Sequence, residues 1–215
     1  MKYAPGTGPE GKFSRFGIAL ILFLFIGILL PPQSLDAYLV MYKEQFYKLF
    51  HVHYNQYPDD TIENIYWLEQ ALNASFANPL YALALVETGE QYEKYQYLFT
   101  MHLNLKMIEQ YLFLANKWNK RRAYFYNAPW KEENLKSLDI AEQCFRTGLY
   151  YWKDAVEFAE RSRERRFRFM KIQRAEFWED EAYRIVEEKT LDYGKTIARE
   201  LELLQKVREA FQAME

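Results

Sequence analysis

Helix breakers are scarce over most of this chain, and that constrains its fold more than any other feature. Beyond Pro32 the only glycines are Gly89, Gly148 and Gly194, and the only prolines are Pro58, Pro79 and Pro129. In a helix interior glycine costs about 1 kcal/mol and proline about 3 kcal/mol relative to alanine. A chain that avoids both over such lengths is built for long helices. No sustained apolar–polar alternation and no Asn-Gly or Asp-Gly hairpin signal offers a competing strand reading. The prediction is an all-α fold.

The remaining breakers place the helices. Ser34, just after Pro31-Pro32, is a candidate N-cap for a helix running to about Val52. Asp60, three residues before Glu63, opens a second helix carrying Ile62, Ile65, Tyr66, Leu68, Leu72 and Phe76. Asn78-Pro79 reads as a cap followed by proline at the first helical position, starting a short helix that ends near Gly89. From Glu90 to Trp118 a stripe of Tyr95, Leu98, Phe99, His102, Leu105, Ile108, Leu112 and Ala115 recurs at threes and fours. Lys117, Lys120, Arg121 and Arg122 suit its C-terminal end. The loop Tyr126 to Trp130 follows, and a sub-boundary is expected near 127–131. From Lys131 almost to Glu215 the pattern is helical, with one stripe through Ile172, Ala175, Trp178, Ala182 and Ile185. A second runs through Tyr193, Ile197, Leu201, Leu204 and Phe211.

The N-terminus carries a different signal. Lys2, Lys12 and Arg15 precede the charge-free run Phe16–Leu30, which Pro31 and Pro32 close. A basic end before such a run is a secretory signal or a signal anchor. At 1.5 Å per residue the run covers about 22 Å, short of a hydrocarbon core of roughly 30 Å, which suits a cleaved signal. A small-x-small cleavage site is missing, which favours an uncleaved anchor. The expected layout is a cytoplasmic tail over 1–15, an anchor or signal segment over 16–33 and an exported helical domain over 34–215. The chain would then be a single-pass inner-membrane protein, N-terminus cytoplasmic, with its bulk in the periplasm.

Composition narrows the chemistry. A net charge of −2 argues against a general nucleic-acid binder. Aromatic residues are abundant, with 18 Tyr, 16 Phe and 5 Trp, enough to fill wide gaps between helices and to supply contact faces. Cys144 sits beside Phe145 in a helical pattern and reads as a small core residue. His51 and His53 point about 200° apart on a helix, too far to share a metal. His102 lies within an apolar stripe and reads as a hydrogen-bonded core residue. No phosphate loop, nucleophile elbow or metal-ligand spacing is present. No catalytic, cofactor-binding or metal-binding residue is assigned, and the chain is expected not to be an enzyme. The carboxylates Glu176, Glu179, Asp180 and Glu181 read as a solvated helical face.

Two phrases suggest helix-pair repeats. WLEQALNASFANPLYALA resembles the second helix of a tetratricopeptide repeat, with Ala71 and Ala74 at close-approach positions and Pro79 at the repeat's proline. SLDIAEQCFRTGL supplies Ala141, Phe145 and Gly148 in a related arrangement. The stretches NPLYALALVETGEQYEKYQYLFTMHLNLKMIEQYL and AYFYNAPWKEENLKSLDIAEQCFRTGLYYW also resemble a spirochaete group of membrane-anchored, tetratricopeptide-like periplasmic proteins. The likeness covers roughly residues 34 to 160. It implies an antiparallel, tetratricopeptide-like array and a structural role in the collar around the periplasmic flagellar motor. It carries over no catalytic residue, and the last helices have no counterpart in it.

One charge feature stands out. Arg161 to Arg174, RSRERRFRFMKIQR, holds six arginines and one lysine against Glu164, and Phe167 and Phe169 interrupt it. It is either a salt-bridged helical face or a contact patch for an acidic partner or anionic headgroups. Arg163, Arg165, Arg166 and Arg168 are the candidates for partner binding. The expected function is that of a membrane-tethered scaffold without catalysis. Its partners would be other membrane or periplasmic helical proteins, a second copy of the chain included. The alternative is a helical-repeat module that binds a peptide or small ligand in a groove.

Overall fold

The computed structural model describes residues 39–119 and 130–213. The anchor segment, Ser34 and the basic residues Lys120, Arg121 and Arg122 fall outside the described residues. Six α-helices account for most of the described chain: α1 (Lys43–Gln56), α2 (Thr61–Asn73), α3 (Gly89–Trp118), α4 (Lys131–Ser162), α5 (Glu176–Val186) and α6 (Tyr193–Ala213). Among the described residues there is no strand beyond isolated bridges at Tyr42–Ser75 and Leu85–Gln173. The fold is all-α, as the scarcity of breakers requires. No helix of the described residues is long and apolar enough to cross a membrane.

Local chemistry sets the helix starts. The Asp60 side chain accepts from Glu63 N at 3.3 Å, so the predicted cap of α2 forms. Thr88 and Gln91 cap α3 reciprocally: Gln91 N donates to Thr88 Oγ1 at 3.1 Å, and Thr88 N donates to Gln91 Oε1 at 3.2 Å. Two boundaries differ from the sequence reading. The first described helix starts at Lys43, where Gln45 Oε1 takes the amide protons of Met41 (2.9 Å) and Tyr42 (3.1 Å). The helix expected from Pro79 is only a 3₁₀ turn, Pro79–Tyr81, with Asn78 Oδ1 accepting from Leu80 N at 3.0 Å. Gly89 opens α3 instead of closing that turn.

The 30-residue α3 is the axis of the fold. The predicted stripe is buried except for half-buried Leu112, but so are Met101, Leu103, Asn104 and Met107 on other faces. A helix buried on several sides needs neighbours on each. α2 packs antiparallel to it, with Lys117 Nζ reaching Thr61 Oγ1 at 3.1 Å. The 32-residue α4 runs antiparallel along another side: Tyr97 meets Phe158 and Tyr111 stacks on Tyr151. α5 closes a third side, where Trp178 lies 5.9 Å from Tyr95 and 5.1 Å from Phe99. α6 packs antiparallel to α4 through Ile197, Leu204 and Phe211, spaced by sevens. Its Arg208 bonds Glu142 (2.6 Å) and Asp139 (2.7 Å) on α4. α3 and α4, on either side of the expected sub-boundary, belong to one compact unit, Val40–Glu215.

Buried polar groups form two hydrogen-bonded chains in this core. Tyr47 on α1 bonds His102 Nε2 at 2.6 Å, and His102 Nδ1 bonds Glu181 Oε2 on α5 at 2.7 Å. Tyr95 donates to Glu44 Oε1 at 3.0 Å, and Glu44 Oε2 accepts from Ala77 N at 2.9 Å. His102 is therefore a hydrogen-bonded core residue, as its stripe position implied. The acidic run is not a solvated face throughout. Glu181 is 6% exposed and Glu179 bonds the buried Lys94 at 2.6 Å, because α5 turns both towards α3.

Candidate functional site

The arginine-rich segment does not continue α4. That helix ends at Ser162, and residues 163–175 form a string of turns leading into α5. The register explains the break. Buried positions on α4 recur at Ala155, Ala159 and Ser162, so another helical turn would bring Arg166 to the buried face. Burying an unpaired guanidinium costs far more than a helical turn gains. The chain leaves the helix instead, with Ser162 Oγ donating to Ala159 O at 2.7 Å. Phe167 then becomes the buried residue, 6.1 Å from Tyr97.

The segment is fastened at several points. Ile172 and Ala175 are buried, Leu85 N donates to Gln173 O at 3.0 Å, and Lys94 Nζ donates to Met170 O. Arg174 holds a left-handed conformation, φ 68°, at the entry to α5. An arginine accepts that conformation only where its surroundings dictate the turn.

The four candidate arginines divide into two pairs. Arg166 grips Glu93 with both terminal nitrogens (2.7 and 2.6 Å) and Glu164 through Nε (3.0 Å). This contact holds the Glu93 carboxyl below its ordinary range and raises the guanidinium. Arg163 bonds Glu187 through Nη2 (2.7 Å) and Nε (3.0 Å), and its guanidinium lies 5.5 Å from the centre of the Tyr183 ring. Both side chains tie the turn to neighbouring helices. Arg165 and Arg168 are exposed and have no ion-pair partner among the described residues. Arg168 lies 5.9 Å from the centre of the Phe169 ring, and Phe169 itself is 90% exposed. The turn thus presents an unpaired cationic pair beside an uncovered aromatic ring, on a backbone secured from below.

The sequence located the segment but gave it the wrong backbone. It treated the four arginines as equals because the positions of Glu93 and Glu187 follow only from packing. The remaining candidates fall elsewhere. His51 and His53 lie on α1, with His53 Nδ1 bonded to Asn64 Oδ1 at 3.0 Å. No group of three His, Cys, Asp or Glu side chains suited to a metal occurs among the described residues. Cys144 is buried in the core, which raises its thiol pKa. The repeat-like residues Ala71, Ala141, Phe145 and Gly148 are buried at helix contacts, while Ala74 caps the end of α2.

A family model described as a domain of unknown function (DUF8513) matches residues 90–214, more than half of the chain. The match takes in α3 to α6 and the whole arginine turn, and leaves α1 and α2 outside. No curated protein and no solved structure matches the chain.

Proposed function

We propose that this chain, which belongs to the DUF8513 family, is a non-catalytic scaffold that docks an acidic partner on the turn between α4 and α5. The observation that carries the reading is the exposed trio Arg165, Arg168 and Phe169 on a pinned backbone. An interface hot spot needs an aromatic or arginine anchor and a surface that does not have to be ordered on binding. Fastening by Phe167, Ile172, Arg163 and Arg166 meets the second condition before the partner arrives. The partner fitted by this chemistry is a helical protein offering carboxylates around an apolar notch.

The wider setting is also part of the proposal. The apolar run Phe16–Leu30 would tether the chain to the inner membrane, with the helical unit in the periplasm. The resemblance to the tetratricopeptide-like collar group suggests neighbouring proteins of the flagellar motor, or a second copy of the chain, as partners. The close-packed small residues Ala71, Ala141 and Gly148 support the repeat-like reading.

The test compares two double variants of the full chain in native membranes. A photo-crosslinking side chain at position 169 should form a discrete adduct. R165E/R168E should abolish it while leaving thermal stability unchanged, because neither arginine holds the fold. R163E/R166E should lower thermal stability, because it turns three ion pairs, Arg163–Glu187, Arg166–Glu93 and Arg166–Glu164, into carboxylate–carboxylate contacts. An adduct of undiminished yield in R165E/R168E refutes the assignment.

A further inference from the structure

A second feature lies between α2 and α4. Residues of α2 and α4 form the walls of a cleft of about 330 Å³, and α3 forms its floor. Glu69 stands on the α2 wall, Asp154 on the α4 wall, and Tyr150, Tyr151 and Phe158 supply aromatic surface. No lysine or arginine lines it. Neither Glu69 nor Asp154 has an ion-pair or hydrogen-bond partner among the described residues.

The floor carries an independent signal. Asn104 lines the cleft and is 2% exposed. Its Nδ2 donates to Thr100 O at 2.8 Å, which fixes the orientation of the amide. Its Oδ1 is buried and has no partner. A buried carbonyl oxygen left without a donor costs about 1–3 kcal/mol, and such a group in a native protein calls for a partner such as a water or an ion. The unengaged groups of the cleft thus include three acceptor groups, Asn104 Oδ1 and the Glu69 and Asp154 carboxylates, beside the hydroxyls of Thr100, Tyr150 and Tyr151 and the Asn73 amide, which can donate as well as accept.

We propose that this cleft binds an alkylammonium or alkylguanidinium group. Asn104 Oδ1 and the two carboxylates would take its N–H donors, and the faces of Tyr150 and Tyr151 would contact the cation and its alkyl stem. The two carboxylates gain the counter-charge they lack, and partial enclosure strengthens that attraction over its value in water. Phe158 contributes less as a cation partner, because Arg161 already lies 5.7 Å from its ring centre, neutralised by Glu157 at 2.5 Å. The ligand could be a free small amine or a basic side chain of a peptide, and the experiment separates the two. The proposal is independent of the arginine turn, which lies on other elements.

The test titrates the full chain by calorimetry with n-butylammonium, n-butylguanidinium, n-butanol and N-acetyl-lysine methylamide. The two alkyl cations should bind saturably with Kd about 1 mM or tighter, and butanol should not. E69Q/D154N, which keeps both shapes and breaks no internal bond, should weaken cation binding at least about tenfold, a loss of about 1.4 kcal/mol. Each single variant should give part of that loss, so a folding defect in the double would not hide the effect. Tighter binding of n-butylammonium than of the lysine amide identifies a free amine as the ligand class. The reverse order identifies a chain-borne side chain. Binding of butanol as well as the cations, unaltered affinity in E69Q/D154N, or no saturable heat with either cation (a water alone on Asn104) overturns it.

Discussion

Leucine at both His102 and Glu181 should be less damaging than leucine at His102 alone. The two side chains are 2% and 6% exposed, and join α3 to α5 through a 2.7 Å bond. Nδ1 bonds the Glu181 carboxylate and Nε2 bonds the Tyr47 hydroxyl, so both ring nitrogens are engaged. His102→Leu strands a buried carboxylate and the Tyr47 hydroxyl, at a cost of about 3–5 kcal/mol. Glu181→Leu strands only the ring nitrogen Nδ1, at about 1–3 kcal/mol. If the two effects were independent, the double variant would lose their sum, about 4–8 kcal/mol. The geometry gives another result. In the double variant both partners are gone, apolar volume replaces them, and only the Tyr47 hydroxyl is orphaned, at about 1–3 kcal/mol. Urea unfolding followed by tryptophan fluorescence measures all three, and Trp178, 5.5 Å from His102, reports locally. A double variant whose loss equals the sum within about 0.5 kcal/mol would refute a bonded, desolvated pair.

Other outcomes follow from single contacts. A Cβ on Gly194 would stand 2.6 Å from Trp152 Nε1, on a rigid ring, so Gly194→Ala should cost about 1–3 kcal/mol by thermal denaturation. The same change at Gly148 meets only Ile197 Cδ1 at 3.1 Å, the movable end of a side chain, and the gain in helix propensity should leave it near neutral. Alanine at Asp60 should cost about 1 kcal/mol, the value of the α2 cap. Burial lowers Lys43 from 10.5 to about 8. The unfolded chain then binds more protons between those values, so unfolding free energy should rise with pH from about 8 upward. Burial raises the phenols of Tyr47 and Tyr95, so the folded state holds more protons above pH 10, and stability should fall there. Urea midpoints across pH 7 to 11 check both limbs, and a flat profile between 8 and 10 would contradict the Lys43 assignment.

Several parts of this arrangement were legible before any packing was known. Avoidance of glycine and proline dictated long helices, because each breaker has a fixed local cost wherever it stands. Asp60 and Asn78 as caps and the buried face of α3 followed from spacing alone, and so did the core placement of His102 and Cys144. Such features are local: a cap is satisfied within three residues, and a stripe is set by the helical period. The arginine turn shows where that reasoning stops. Periodicity continued the helix through Arg161–Arg174, since nothing local marks Arg166 as a residue the buried face must reject.

Tertiary structure decided which charges are free. Glu93 and Arg166 are far apart along the chain, as are Arg163 and Glu187, His102 and Glu181, and Lys94 and Glu179. Each pairing exists because α3, α4 and α5 meet side by side. The same encounter surrounds α3 on faces that a single stripe could not identify, and sets Glu69 and Asp154 across a cleft above Asn104. Sequence alone determined that this chain would be helical and where α2, α3 and α4 begin, through short-range backbone and capping energetics. Which arginines remain available to a partner, and which acids were drawn into the core, depended on contacts between distant segments, whose energies exist only once those segments have been brought together.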